Sequence, residues 1–78
     1  MATAHILINC NPGFEKNIIT ELKKFDSIQE VSAVYGVFDV VAKLESPNIQ
    51  DLRENIANDI RMIKNVISTM TLMNTDDY

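Results

Sequence analysis

Residues 28–45 read IQEVSAVYGVFDVVAKLE, and this stretch decides the fold. It is two β-favouring runs broken once, at Gly36. In the run Ile28 to Tyr35, Val31, Ala33 and Tyr35 alternate with Ser32 and Val34. In the run Phe38 to Glu45, Phe38, Val40, Ala42 and Leu44 share one face, while Asp39, Val41, Lys43 and Glu45 share the other, because successive strand side chains point to opposite sides. Two such runs joined by a short glycine-containing connection predict a β-hairpin.

The pattern extends in both directions. Before the hairpin, Phe14, Ile18, Ile19, Leu22 and Phe25 make one stripe and predict an amphipathic helix from Phe14 to Phe25. Glu15 near its start and Lys23 and Lys24 at its end complement the helix dipole. Asn11-Pro12-Gly13 breaks the chain ahead of that helix, and His5 to Cys10 (HILINC) reads as the first strand. After the hairpin, Ser46-Pro47 predicts a second helix capped by Ser46, with Pro47 in the first turn. Ile49, Leu52, Ile56, Ile60 and Ile63 supply its apolar stripe. Val66 to Met73 (VISTMTLM) is the last strand, and Asn74 to Tyr78 reads as a frayed polar tail.

The order is β-α-β-β-α-β in one domain spanning residues 1–78, the ferredoxin-like α+β arrangement. Right-handed crossovers place both helices on one face of a four-stranded antiparallel sheet, with strand order 4-1-3-2. The other face stays uncovered. Val41 belongs there if Val40 and Ala42 face the helices, and the opposite parities elsewhere include Leu7, Val34, Ile67 and Met73. An exposed apolar sheet face of that size marks an interface. Stacking two such faces predicts a homodimer, a two-layered α/β sandwich.

Size argues the same way. A chain of 78 residues is marginal alone and needs a good core, a staple or a partner. Cys10 is the only cysteine, which rules out an internal disulfide, and with His5 as the only histidine no structural zinc site forms within one chain. No metal or cofactor is expected.

Net charge is −4, and the seven cations, Lys16, Lys23, Lys24, Lys43, Arg53, Arg61 and Lys64, are scattered. Phosphate binding needs clustered cations, so no direct contact with nucleic acid is expected. No apolar run approaches the ~18 residues of a membrane span, and the N-terminus lacks a basic region before an apolar stretch. The free cysteine and the lack of an export signal predict a cytoplasmic protein.

Reactive chemistry is sparse. His5 and Cys10 lie on opposite faces of one strand and cannot act together, and nothing resembles a nucleophile with its base and orienting group. No enzyme is expected. Cys10 reads as a small buried hydrophobe. Asp39 stands out as a carboxylate inside an apolar hairpin, either an anchor for a ligand's amino group or an acceptor for backbone N–H groups. Asn11-Pro12-Gly13 reads as an ordinary helix start.

Three of these segments together resemble one family. Asn11-Pro12-Gly13, the stretch Val31 to Val41, and Val66 to Leu72 look like the C-terminal effector domain of Lrp/AsnC regulators, also called the RAM domain. The most specific piece is Tyr35-Gly36-Val37-Phe38-Asp39, similar to the family's Gly-x-aromatic-Asp hairpin. The second is Ser68-Thr69-Met70-Thr71 in the last strand. The resemblance implies sheets paired into dimers, dimers closed into rings that are often octamers, and an amino-acid effector in a cleft between neighbouring dimers. By position, Tyr35, Gly36, Val37 and Asp39 would form the hairpin side of that cleft, and Ser68, Thr69 and Thr71 its last-strand side. Family members begin with a helix-turn-helix, which nothing here precedes the first strand to supply. The implied protein is a stand-alone sensing and oligomerisation module of transcription regulation, acting on full-length regulators by mixing with them.

Two readings compete. A ligand-free interaction module shares every feature except the effector. A small dimeric α+β-barrel enzyme would require a His- or Arg-bearing pocket between sheet and helices, which this sequence lacks. An ACT-like sensor has the same topology, but the Tyr35-to-Asp39 hairpin favours the RAM type.

Overall fold

The computed structural model describes residues 2–74. Strands β1 (Ala2–Cys10), β2 (Ile28–Ala33), β3 (Val40–Ser46) and β4 (Val66–Asn74) form one antiparallel sheet in the order β2-β3-β1-β4, the predicted one. Helix α1 (Glu15–Leu22) follows β1. The second helix runs through three joined segments, α-helical Ile49–Asp51, a π turn Leu52–Ile56 and α-helical Ala57–Arg61, together called α2.

The core lies between the sheet and the two helices. Ala4, Ile6, Ile8 and Cys10 of β1 and Val40, Ala42 and Leu44 of β3 are buried, as are Ile18 and Leu22 of α1 and Leu52, Ala57 and Ile60 of α2. Strand alternation thus sends the even-numbered residues of β1 and β3 inward. Each fully buried Ile or Leu stabilises by about 1.5–3 kcal/mol relative to exposure. Met73 pairs with Ala4, lies on the helix side and packs on this core, so it does not belong to the uncovered face.

Several boundaries differ from the sequence reading for local reasons. β1 starts at Ala2, because its register with β3 runs back to the pair Ala2–Ser46. α1 is shorter than Phe14 to Phe25. Phe14 is its N-cap, and the amides of Lys24 and Phe25 bond three residues back, to Glu21 and Leu22, which tightens and ends the helix. Phe25 still packs on the core. The hairpin strands end at Ala33 and resume at Val40, leaving residues 34–39 as a loop closed by Val34 N–H donating to the Asp39 carbonyl, 2.9 Å.

The cap of α2 is Asn48, not Ser46. Asn48 Oδ1 accepts from the amides of Gln50 (2.9 Å) and Asp51 (3.1 Å), the usual service of an N-cap. Ser46 is the buried last residue of β3, and its hydroxyl accepts from Asn48 N–H at 3.2 Å.

The π turn changes the stripe of α2. Its five-residue repeat, closed by Ala57 N–H on the Leu52 carbonyl, puts Leu52 and Ala57 on the buried side together. In an uninterrupted α-helix these positions would stand ~140° apart. Ile56, assigned to the stripe by α-periodicity, is only half-buried. Asn58 Nδ2 donates to the Glu54 carbonyl inside this irregular stretch at 2.7 Å.

On the uncovered face, Val41, Leu7 and Met70 form a row straight across β3, β1 and β4. His5 stands in the next row between Lys43 and Leu72. Met70 and Leu72 each keep 50 % of their surface exposed. Ile67, set out of register by the irregularity near Cys10 and Val66, is more exposed still. Glu30, Lys43 and Glu45 occupy the β2–β3 side, so the face is apolar on one half and charged on the other.

Candidate functional site

The hairpin loop and the start of α1 meet at one end of the sheet. Between them lies an open cleft of about 520 Å³ lined by Gly13, Glu15, Lys16, Ala33, Val34, Tyr35 and Asp39. That is within the ~300–1,000 Å³ of small-molecule sites. Tyr35 is fully exposed at its lip, and Val37 is 82 % exposed in the same loop. Gly36 has φ +132°, a conformation L side chains rarely adopt, so glycine is what lets the loop turn here.

Asp39 fixes this end of the sheet. Its amide donates to the Ile8 carbonyl at 2.9 Å, and its Oδ2 accepts from Cys10 N–H at 3.0 Å. The side chain therefore serves the backbone, one of the two roles open from sequence, while still lining the cleft. Opposite it, the Glu15 carboxylate accepts from Gly13 N–H, at 3.1 Å from Oε2. This bond ties the turn ahead of α1 to its first residue, while the N-cap Phe14 offers no side-chain cap. Burial foremost, then the Asp39 and Glu15 carboxylates, push the Cys10 thiol above its usual range, which suits a buried structural cysteine.

The predicted site residues divide into two groups. Tyr35 and Asp39 line the cleft, and Gly36 and Val37 complete the loop beside it. Ser68, Thr69 and Thr71 do not line it. Thr69 pairs with Ile8 and Thr71 with Ile6, so both lie on the helix side, whereas Ser68 pairs with Asn9 on the uncovered side and accepts from its Nδ2 at 3.4 Å. β4 also stands two strands away from β3, roughly 10 Å at ordinary spacing. The sequence reading missed Gly13, Glu15 and Lys16 as cleft residues. Their signal was present, a Pro-Gly turn followed at once by an acid and a base, but it was absorbed into the helix start.

The sequence profile of the Lrp/AsnC ligand binding domain matches residues 3–77. The chain belongs to this family. Its Lrp/AsnC fold, a four-stranded antiparallel sheet with two helices, matches solved relatives. FFRP-DM1 superimposes with a TM-score of 0.89 at 29 % identity, over 96 % of this chain and 100 % of that one. A transcriptional regulator from Neisseria meningitidis, solved as an L-Met complex, shares the fold with a TM-score of 0.79 at 9 % identity, over 97 % of this chain and 51 % of its own. An uncharacterised HTH-type transcriptional regulator of Pyrococcus furiosus is 27 % identical over 74 residues, 91 % of this chain. The Lrp/AsnC domain described here spans about half (49 %) of that regulator's length. The family is thus the ligand-binding part of transcription regulators. Among the described residues no helix is long and apolar enough to cross a membrane, and no three His, Cys, Asp or Glu side chains group to hold a metal ion.

Proposed function

We propose that this Lrp/AsnC domain senses an amino acid in the cleft between the 34–39 loop and α1, and reports it through self-association. The observation that carries the reading is the cleft itself. It is open-sided, it presents carboxylates and a lysine side by side, and a glycine-shaped loop forms its wall. Lys16 and loop N–H groups suit a carboxylate, and Asp39 suits an ammonium. An open cleft encloses a ligand only when something closes it, and a second copy does so in this reading. Of the three last-strand hydroxyls, Ser68 stands on the uncovered face, so its contribution is assigned to a neighbouring copy, while Thr69 and Thr71 point to the other face.

Ligand bound across such a boundary stabilises the assembly that completes it. The L-Met complex of the Neisseria regulator supports an amino acid as the ligand class. The sheet face supports a dimer as the basic unit, and the family resemblance implies rings of dimers, up to octamers, as the larger assembly. FFRP-DM1, matched over its whole chain, supports an independent role for this domain, and mixing with full-length Lrp/AsnC regulators in the cytoplasm gives it a route to transcription.

The test separates the two duties of Asp39. Asp39→Asn keeps an oxygen to accept from Cys10 N–H but loses the charge. We expect its melting temperature to stay within a few degrees, while amino-acid affinity measured by calorimetry falls at least about tenfold, the worth of a charged hydrogen bond. Unchanged affinity would remove Asp39 from the site. Asp39→Ala is the cruder variant, because it also leaves Cys10 N–H without its acceptor and costs about 1 kcal/mol of stability.

A further inference from the structure

The cleft carries more negative charge than a neutral amino acid uses. Its charged lining is Glu15, Asp39 and Lys16, two carboxylates against one ammonium. Both carboxylates belong to the cleft wall. Each holds a backbone amide, Gly13 N–H for Glu15 and Cys10 N–H for Asp39, so both are fixed in place. Neither is paired with a cation among the described residues, where the ion pair is Lys24–Glu21 (3.1 Å), at the other end of α1.

A zwitterion needs one cation for its carboxylate and one anion for its ammonium. Lys16 and Asp39 meet that need, and Glu15 is left over. We infer that the cleft selects a basic amino acid, one with a second cationic group on its side chain, with Lys16 facing the α-carboxylate, Asp39 the α-ammonium and Glu15 the side-chain cation. This specificity rests on the sensing role proposed above and names its ligand class. The three groups on the ligand, two positive and one negative, are the charge complement of the three on the protein.

The experiment is calorimetric titration of the full chain with L-lysine, L-norleucine and cadaverine. Norleucine is lysine without its side-chain amine, and cadaverine is lysine without its carboxylate. Lysine should bind at least about tenfold more tightly than either, since each loses one charged interaction. Glu15→Gln keeps an oxygen for Gly13 N–H and removes only the charge. It should lower lysine affinity about tenfold and change norleucine affinity less than twofold. Norleucine binding as tightly as lysine would overturn the specificity while leaving an amino-acid sensor. Cadaverine matching lysine would overturn the assignment of Lys16 and the amino-acid class. Loss of both affinities alike in Glu15→Gln would make Glu15 structural and overturn its role. No binding by any of the three, or by the remaining amino acids, would sink the specificity together with the sensing role beneath it.

Discussion

Leu7→Glu should turn the assembled protein into folded monomers. Leu7 sits mid-row between Val41 and Met70 on the face the helices leave bare, and the alternation of β1 keeps it out of the core. A carboxylate there remains hydrated in a lone subunit. Face-to-face stacking would bury it among apolar side chains, at a cost of several kcal/mol unless it finds a partner. We expect the dimer dissociation constant, measured by sedimentation, to rise at least about 100-fold. Circular dichroism of the variant at low concentration should match the wild type at the same concentration. An assembly unaffected by Leu7→Glu would mean that copies do not meet through this face.

Ile6→Ala, one residue away, should do the opposite kind of damage. Ile6 is fully buried on the helix side, between Ala42 and Thr71 in the sheet. Truncating a buried Ile to Ala costs about 2–5 kcal/mol through lost transfer energy and the cavity left behind. Domains have roughly 0.05–0.15 kcal/mol of stability per residue, so the loss is a large share of what a chain this size holds. Urea titration should show a midpoint lowered in proportion, with the slope unchanged. A loss under ~1 kcal/mol would contradict the central place given to β1. The two neighbouring substitutions thus separate folding from assembly.

The fold was readable because its signals were redundant. The hairpin at 28–45 showed a period of two on both sides of one glycine, and the flanking stripes showed a period near 3.6. Each independently limited the topology, and the sheet order followed from handedness. What was not readable depended on single hydrogen bonds. Ser46 and Asn48 are both good caps by residue type, and only the register of β3, which carries Ser46 into the sheet, decides for Asn48. Periodicity also assumes a regular helix, so it put Ile56 in the stripe where the π turn brings Ala57 inward.

The candidate site divided along the same line. Tyr35, Gly36, Val37 and Asp39 are contiguous in sequence and come together because one loop holds them. Ser68, Thr69 and Thr71 are contiguous too, but strand alternation sends Ser68 to one face and the two threonines to the other. Glu15 and Lys16 were hidden for a different reason. Their types suit the first turn of any helix, and only the folded chain sets them across from the hairpin loop.

The central claim is that an amino acid and the assembly of this Lrp/AsnC domain are coupled. Native mass spectrometry of the purified chain, alone and with each of the twenty amino acids in turn, tests it most directly. The expected result is a dimer or a ring of dimers that retains a particular amino acid, a basic one, or changes size when it is added. An assembly of constant size that retains none of the twenty would contradict the claim, and would leave a domain whose sheet face and protruding loop serve protein partners alone.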